Sequence, residues 1–113
     1  MIEILPNIKY PALTESTYYI LLSLFQPLHG YGIMQFVSNI SNSRLVLAPG
    51  TLYGAISSLL DKNWIKVYDS NTDSRKKEYI ITDLGREVIE SEISRLKELY
   101  NNGINIVGGH VND

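Results

Sequence analysis

Apolar residues cluster in four helix-like stretches and one β-rich stretch of the 113-residue chain. The first stretch, Tyr18 to Phe25, is apolar on nearly all sides, which predicts a buried central helix. Thr14 is placed to cap this helix, and Leu13 stands with Tyr18 in the arrangement of a hydrophobic staple. Pro27 then ends the helix, because proline cannot continue the hydrogen-bond ladder.

A second helix is predicted after Gly30, followed by a short strand. Polar residues from Ser41 to Arg44 end the helix, and the apolar run Leu45–Leu47 predicts the strand. One apolar stripe with helical spacing carries the helix prediction: Ile33, Phe36, Val37 and Ile40.

A third helix is predicted in a segment that begins with glycine and proline, LAPGTLYGAISSLL. Pro49 fits its first turn, and Asn63 can take the left-handed position just after its end. Its apolar face consists of Leu52, Ala55, Ile56, Leu59 and Leu60. The opposite face carries Thr51, Tyr53, Gly54, Ser57, Ser58 and Asp61, most of them small.

The remaining elements are a hairpin and a fourth helix. Trp64–Tyr68 and Lys77–Ile81 are β-rich and flank a polar loop, and Thr82 then caps the helix. An apolar stripe follows the helix from Leu84 to Tyr100, about 25 Å at 1.5 Å per residue. The stripe contains Ile89, Ile93, Leu96 and Tyr100, widened by Leu84, Val88 and Leu99.

The order of elements predicts a mostly α, α+β fold, a winged helix-turn-helix followed by a C-terminal helix. We expect residues 1–81 to form the winged domain, residues 82–103 a dimerisation helix and residues 104–113 a flexible tail. The stripe on the last helix has two interpretations. It packs wholly within its own domain, or it meets a second copy of the chain, which we favour because a small domain cannot cover its length. The predicted dimer interface is Ile89, Ile93, Leu96, Leu99 and Tyr100.

Composition excludes several classes of site. The chain has no cysteine, which excludes a disulfide scaffold, a cysteine zinc site and a thiol nucleophile. No secretory signal precedes the first helix, so we expect a cytoplasmic protein. His29 is interpreted as a structural residue at a helix end, and His110 with Asp113 as part of the tail rather than a metal site. We expect no enzymatic activity, no cofactor and no metal.

The net charge of −2 is not that of a typical nucleic-acid binder, but its distribution is informative. Residues 1–82 carry 7 Lys or Arg and 6 Asp or Glu, and residues 83–113 carry 3 and 6. The sharpest basic cluster, Arg75–Lys77, lies where the tip of the wing is expected, and Lys62 and Lys66 are nearby in the sequence.

The face of the third helix that carries mostly small side chains suits a helix that enters the major groove. There Thr51 and Ser57 would donate or accept hydrogen bonds, and Tyr53 would contact phosphate, sugar or thymine methyl groups. The alternative is that Tyr53 and Gly54 only pack against a neighbouring element. A second hypothesis for the whole chain is a winged-helix protein-interaction module that does not bind DNA, which the negative net charge favours.

The sequence resembles the PadR-like transcriptional regulators, in particular the branch with one short C-terminal helix. The motifs that carry the resemblance are LTESTYYILLSL (13–24), HGYGIMQ (29–35), PGTLYGAISSLL (49–60) and RKKEYIITDLGREVIESE (75–92). The resemblance implies a dimeric repressor of transcription on a palindromic double-stranded operator. It also implies release by a small aromatic or drug-like effector. Drug-binding members present a tryptophan from the last helix, whereas Trp64, the only tryptophan here, starts the hairpin.

By this resemblance, residues Pro49–Ser58 are expected to contact the bases. Phosphate contacts are expected from the wing, from Tyr31 and from the start of the first helix. Together with the residue-based reasoning, the predicted DNA-binding residues are Thr14, Tyr31, Pro49, Gly50, Thr51, Tyr53, Gly54, Ser57, Ser58, Lys62, Arg75, Lys76 and Lys77.

Overall fold

The computed structural model describes residues 8–69 and 76–108. Within them the chain forms four α-helices, an antiparallel two-stranded hairpin and a π-helical turn, and the helices and the hairpin follow the predicted order. The elements are α1 (Glu15–Ser23), α2 (Gly30–Ile40), α3 (Pro49–Asp61), β1 (Ile65–Asp69), β2 (Glu78–Ile81), α4 (Asp83–Gly103) and the π-helical turn (Ile104–Gly108).

α1 is the central helix of the core. Its predicted cap is formed, because the Thr17 N–H donates a 3.2 Å hydrogen bond to the Thr14 side-chain oxygen. Ile20, Leu21 and Leu24 are at most 1% exposed, and the helix packs against α2 and α4. A helix that is apolar on nearly all sides is therefore enclosed on nearly all sides.

The turn between α2 and α3 contains two consecutive residues in the left-handed region. Asn42 has a φ of 54° and Ser43 a φ of 63°. The Ser43 N–H donates a 2.7 Å hydrogen bond to the Ser38 carbonyl, which closes the turn at the end of α2. Left-handed backbone costs a residue with a Cβ atom about 1 kcal/mol, so the turn stores strain.

Replacing Ser43 with glycine is expected to stabilise the fold by about 0.5–1 kcal/mol, because glycine adopts the left-handed region without that cost. The melting temperature should rise by a few degrees, measured by circular dichroism. Ser58→Gly on the exposed side of α3 is the matched control and should destabilise by about 0.5 kcal/mol. Equal changes in both variants would show that the turn is unstrained.

The strand predicted at Leu45–Leu47 is not formed. The edge of β2 that it would need is occupied by Leu28, whose N–H and carbonyl exchange hydrogen bonds of 3.1 and 2.9 Å with Tyr79. Leu47 instead turns its side chain into the core, at 6% exposure, while Val46 is 70% exposed. The apolar run is therefore a connection that leads into α3.

The hairpin and α4 are joined through Thr82. Its side-chain oxygen accepts a 3.0 Å hydrogen bond from the Gly85 N–H, the predicted cap, and donates at 2.6 Å to the carbonyl of Asn63. Asn63 has a φ of 61°, as predicted for the residue after α3. The N–H of Thr82 donates at 3.0 Å to the Trp64 carbonyl. These bonds attach the start of α4 to the end of α3.

The first half of α4 belongs to the same core as the other helices. Val88, Ile89, Ser91 and Glu92 are at most 4% exposed. The Ser91 side-chain oxygen accepts hydrogen bonds from two backbone N–H groups of the segment before α1. Residues 104–108, which we predicted to lie in a flexible tail, continue α4 as the π-helical turn, and residues 109–113 lie outside the described residues.

Candidate nucleic-acid interface

The polar face of α3 is open to solvent over its whole length. Buried residues of this helix, Leu52, Ile56 and Leu59, anchor it to the core. The residues on α3 and at its end that we predicted to face DNA are all exposed: Pro49, Gly50, Thr51, Tyr53, Gly54, Ser57, Ser58 and Lys62. The structure thus gathers the predicted α3 residues on one accessible surface, which begins at the positive end of the helix dipole.

Gly50 and Gly54 have no role in the packing of the chain. A Cβ atom built on either would meet nothing within 4 Å, and neither has a positive φ. Glycine inside a helix costs about 1 kcal/mol relative to alanine. Neither packing nor backbone conformation within the described chain therefore requires glycine at these two positions.

Tyr53 combines the two alternatives that the sequence left open. Its side chain is 42% exposed on the polar face of α3, yet the ring also lies against the start of α2. A Cβ atom built on Gly30 would stand 2.3 Å from the Tyr53 hydroxyl oxygen and 2.8 Å from its Cζ atom. Tyr53 is therefore both an exposed residue of the candidate surface and a packing residue between two helices.

The start of α2 contributes Tyr31, which is 62% exposed. His29 is the N-cap of α2, as we predicted for a structural residue: its Nδ1 accepts a 3.0 Å hydrogen bond from the Gly32 N–H. Thr14 is also exposed, but its hydroxyl donates to the Thr17 side-chain oxygen at 3.0 Å. The donor that we predicted for a phosphate is thus used within the cap.

Among the described residues, few cations lie on the candidate surface. Lys76 is exposed and Lys77, the residue before β2, is half-buried, while Arg75 lies outside the described residues. The Lys62 ammonium stands 4.8 Å above the centre of the Trp64 ring, which holds it near the end of α3.

The sequence did not single out Arg44, which joins the α2–α3 turn to α1. Its guanidinium donates two hydrogen bonds to the Glu15 carboxylate, one of them 2.9 Å long. The hydrogen bonds from Arg44 lower the pKa of Glu15. A cation and an anion 29 positions apart give no local pattern that could reveal such a pair.

The second half of α4 carries an apolar surface that the described chain leaves uncovered. Ile93 is 47% exposed, Leu96 38%, Leu99 52% and Tyr100 68%. Ile104, Ile106 and Val107 extend this surface along the π-helical turn. Ile89, which we predicted in the same interface, is 2% exposed inside the core of its own chain, so it offers no surface to a partner.

A cleft of about 280 Å³ lies between α1 and α4. Arg95 donates hydrogen bonds of 2.8 and 2.6 Å to the buried Glu92 carboxylate and thereby lowers the pKa of Glu92. Burial, and then the charge of Glu92, raises the pKa of Tyr18, so this phenol stays neutral. The cleft is lined by Leu13, Glu15, Tyr18, Tyr19, Glu92, Arg95 and Leu96.

Comparison with known proteins identifies the family of this scaffold. The model of the transcriptional regulator PadR-like family matches residues 20–91, more than half of the chain, from the middle of α1 through most of the buried part of α4. The chain belongs to the PadR-like family. The resemblance seen in the motifs is thereby confirmed. No curated protein sequence matches this PadR-like chain.

Solved structures support the assignment. A transcriptional regulator from Clostridium thermocellum is 25% identical over 82% of this chain and 91% of its own, with a TM-score of 0.66. A PadR family regulator from Clostridium difficile is 28% identical over 81% of this chain and 96% of its own, with a TM-score of 0.61. Bordetella bronchiseptica BpsR, whose DNA binding is regulated by 6-hydroxynicotinic acid, is 17% identical over 81% of this chain and 65% of its own, with a TM-score of 0.63. At that identity the likeness to BpsR concerns the fold alone.

The predicted winged-helix fold and the predicted class, a DNA-binding regulator of transcription, are thus confirmed for this PadR-like protein. Its family is one of regulators rather than enzymes. In residues 8–69 and 76–108, no helix is long and apolar enough to cross a membrane. In the same residues, no three acidic or histidine side chains converge as metal ligands.

Proposed function

We propose that this PadR-like regulator is a homodimeric repressor that binds a palindromic operator and is released by a small aromatic effector. In this proposal α3 enters the major groove, with its first turns against the base edges. Thr51 and Ser57 make hydrogen bonds to bases or phosphates, and Tyr53 contacts the backbone or a thymine methyl group. Tyr31 and Lys76 bind backbone phosphates on the two sides of that groove.

The observation that carries the proposal is the open space at Gly50 and Gly54. These two positions lie one helical turn apart on the exposed face of α3, and both forgo the stability that alanine would give a helix. A DNA duplex that comes close to the helix backbone would account for both. Thr51, between them, would then reach the duplex without a neighbouring side chain in the way.

The dimer is proposed from the uncovered apolar surface of α4. Contiguous exposed apolar patches on small proteins mark interaction surfaces, and this one runs from Ile93 through Leu99 and Tyr100. A second copy related by a twofold axis would cover it with the same residues. The same axis would pair two α3 helices with the two halves of a palindromic site.

The effector is proposed to bind in the cleft between α1 and α4. Tyr18 and Tyr19 offer aromatic surface there, and Arg95, although paired with Glu92, is the one cation in the lining. The cleft borders Leu96 of the proposed dimer surface, so an occupant could change how the two copies pack. Regulation of DNA binding by an aromatic acid in BpsR, a protein of similar fold, supports this class of effector.

Selection from a pool of random duplexes tests the proposal. The purified protein should enrich one palindromic sequence, and the enriched duplex should bind at least about 10³-fold more tightly than a scrambled one. Aromatic acids, beginning with 6-hydroxynicotinic acid, are then added to the complex. Failure to enrich any sequence would favour the alternative, a protein-interaction module that does not bind DNA.

Lys76→Ala is expected to weaken binding to every duplex and to make the logarithmic salt dependence shallower by about 0.9, the value of one phosphate contact. Lys76 is exposed beside the hairpin. Lys97→Ala on α4 removes the same charge away from the candidate surface and is the control. Fluorescence anisotropy at several salt concentrations gives both slopes. Identical slopes would remove Lys76 from the interface.

A further inference from the structure

We infer that Gly30 is a positioning residue for DNA recognition, because it leaves the space at the start of α2 in which the Tyr53 ring is held. The inference rests on the proposed role of α3 and deepens it. Gly30 is buried and cannot touch DNA. It would nevertheless control the position of Tyr53, the one large side chain on the polar face of α3.

The geometry is specific to this pair. A Cβ atom at Gly30 would stand 2.3 Å from the hydroxyl oxygen of Tyr53, 2.8 Å from Cζ and 3.2 Å from Cε1. Distances below 3 Å between such atoms require one of the groups to move. All three nearest atoms belong to the Tyr53 side chain, so the volume that a side chain at position 30 would need is occupied by Tyr53.

Conformation does not explain the glycine. Gly30 opens α2 and has no positive φ, so an alanine would suit the backbone and would improve helix propensity. The steric contact alone disfavours a side chain. Tyr53 is 42% exposed and its ring is the far end of a flexible side chain, so it would swing outward rather than force the helices apart.

The Tyr53 phenol also acts electrostatically on the hairpin. Burial, followed by the proximity of Tyr53, raises the pKa of Tyr79 on β2. Tyr79 in turn pairs with Leu28, two residues before Gly30. Tyr53 thus lies against α2 and interacts electrostatically with β2, and the space at Gly30 sets the direction in which the phenol leaves the α3 surface.

Gly30→Ala should therefore change DNA recognition through Tyr53. We expect affinity for the duplex enriched by the wild-type protein to fall by about tenfold, the value of one good contact. Binding to a scrambled duplex and the oligomeric state should stay unchanged, because charges and α4 are untouched. Ser94→Ala, a small change on α4 away from the helical face of Leu96, Leu99 and Tyr100, is the control.

A thermal double-mutant cycle shows whether the effect passes through the ring. Alanine at position 30 should lower the melting temperature of the wild-type chain but raise that of the Tyr53→Ala chain, where the ring is gone. If Gly30→Ala alone fails to fold while the Tyr53→Ala double variant folds, the coupling is likewise demonstrated.

Two results would overturn the inference. One is a Gly30→Ala variant with wild-type affinity for the enriched duplex. The other is the same shift in melting temperature with and without the Tyr53 ring. A wild-type protein that enriches no duplex would overturn the proposed function and this inference together, whereas enrichment by the wild type with either of those two results would overturn the inference alone.

Discussion

Ile93→Lys is expected to turn the proposed dimer into a folded monomer and to lower affinity for the enriched duplex by about 10²–10⁴-fold, the contribution of a second linked site. Ile93 is 47% exposed in the single chain, so a lysine there keeps its ammonium group in water. In the dimer the same group would be buried without a partner, which is strongly unfavourable. The substitution therefore opposes association without opposing folding.

Light scattering and fluorescence anisotropy measure the two effects, with Glu98→Gln as the matched control. Both variants change the charge by the same amount, and by helical spacing Glu98 lies on the other side of α4. Because Ile93→Lys adds a positive charge, electrostatic attraction to DNA should increase, so weaker binding cannot come from repulsion. A native-sized Ile93→Lys dimer with full affinity would contradict the proposed interface.

Ile93 is exposed whereas Ile89 is buried, and the sequence pattern does not distinguish the two. Ile89 and Ile93 belong to one stripe with helical spacing, and the pattern treats them alike. Only the fold separates them, because the segment before α1 and α1 itself cover the first half of α4. The hydrogen bond from the Lys9 N–H to Ser91, across 82 positions, is one such contact. Contacts so distant in the sequence leave no periodic signal.

Features set by neighbouring residues were predictable for the same reason. The caps at Thr14 and Thr82 and the left-handed Asn63 depend on atoms within a few positions, and all three are confirmed. The strand at Leu45–Leu47 was wrong because a strand needs a partner. Leu28 holds the available edge of β2, and nothing in either segment indicates which of them pairs.

Tyr53 shows the same limit at the candidate site. Helical spacing correctly places it on the polar face of α3, but the spacing contains no information about Gly30, which lies 23 positions earlier. The HGY motif and the PGTLY motif therefore look independent in the sequence. In the fold they meet at one ring, which gives the glycine of the first motif a physical reason.

Gly85→Ala is expected to destabilise the protein by about 2–3 kcal/mol, a typical cost of forcing an extra carbon into a packed site after the gain in helix propensity is deducted. A Cβ atom there would stand 2.1 Å from the Trp64 carbonyl oxygen and 2.6 Å from the Cγ1 atom of Ile81. The carbonyl is backbone and cannot rotate away. It also accepts the 3.0 Å hydrogen bond from the Thr82 N–H, so moving it weakens the junction between α3 and α4.

Urea denaturation followed by circular dichroism measures the loss, at one protein concentration because a dimer gains stability with concentration. Gly103→Ala places the same methyl group on the same helix where it meets nothing within 4 Å, so it should be neutral or slightly stabilising. The expected difference between the two variants lies in the midpoint of unfolding. If Gly85→Ala unfolds at the same urea concentration as Gly103→Ala, then close packing of α4 against the Trp64 carbonyl does not stabilise the fold.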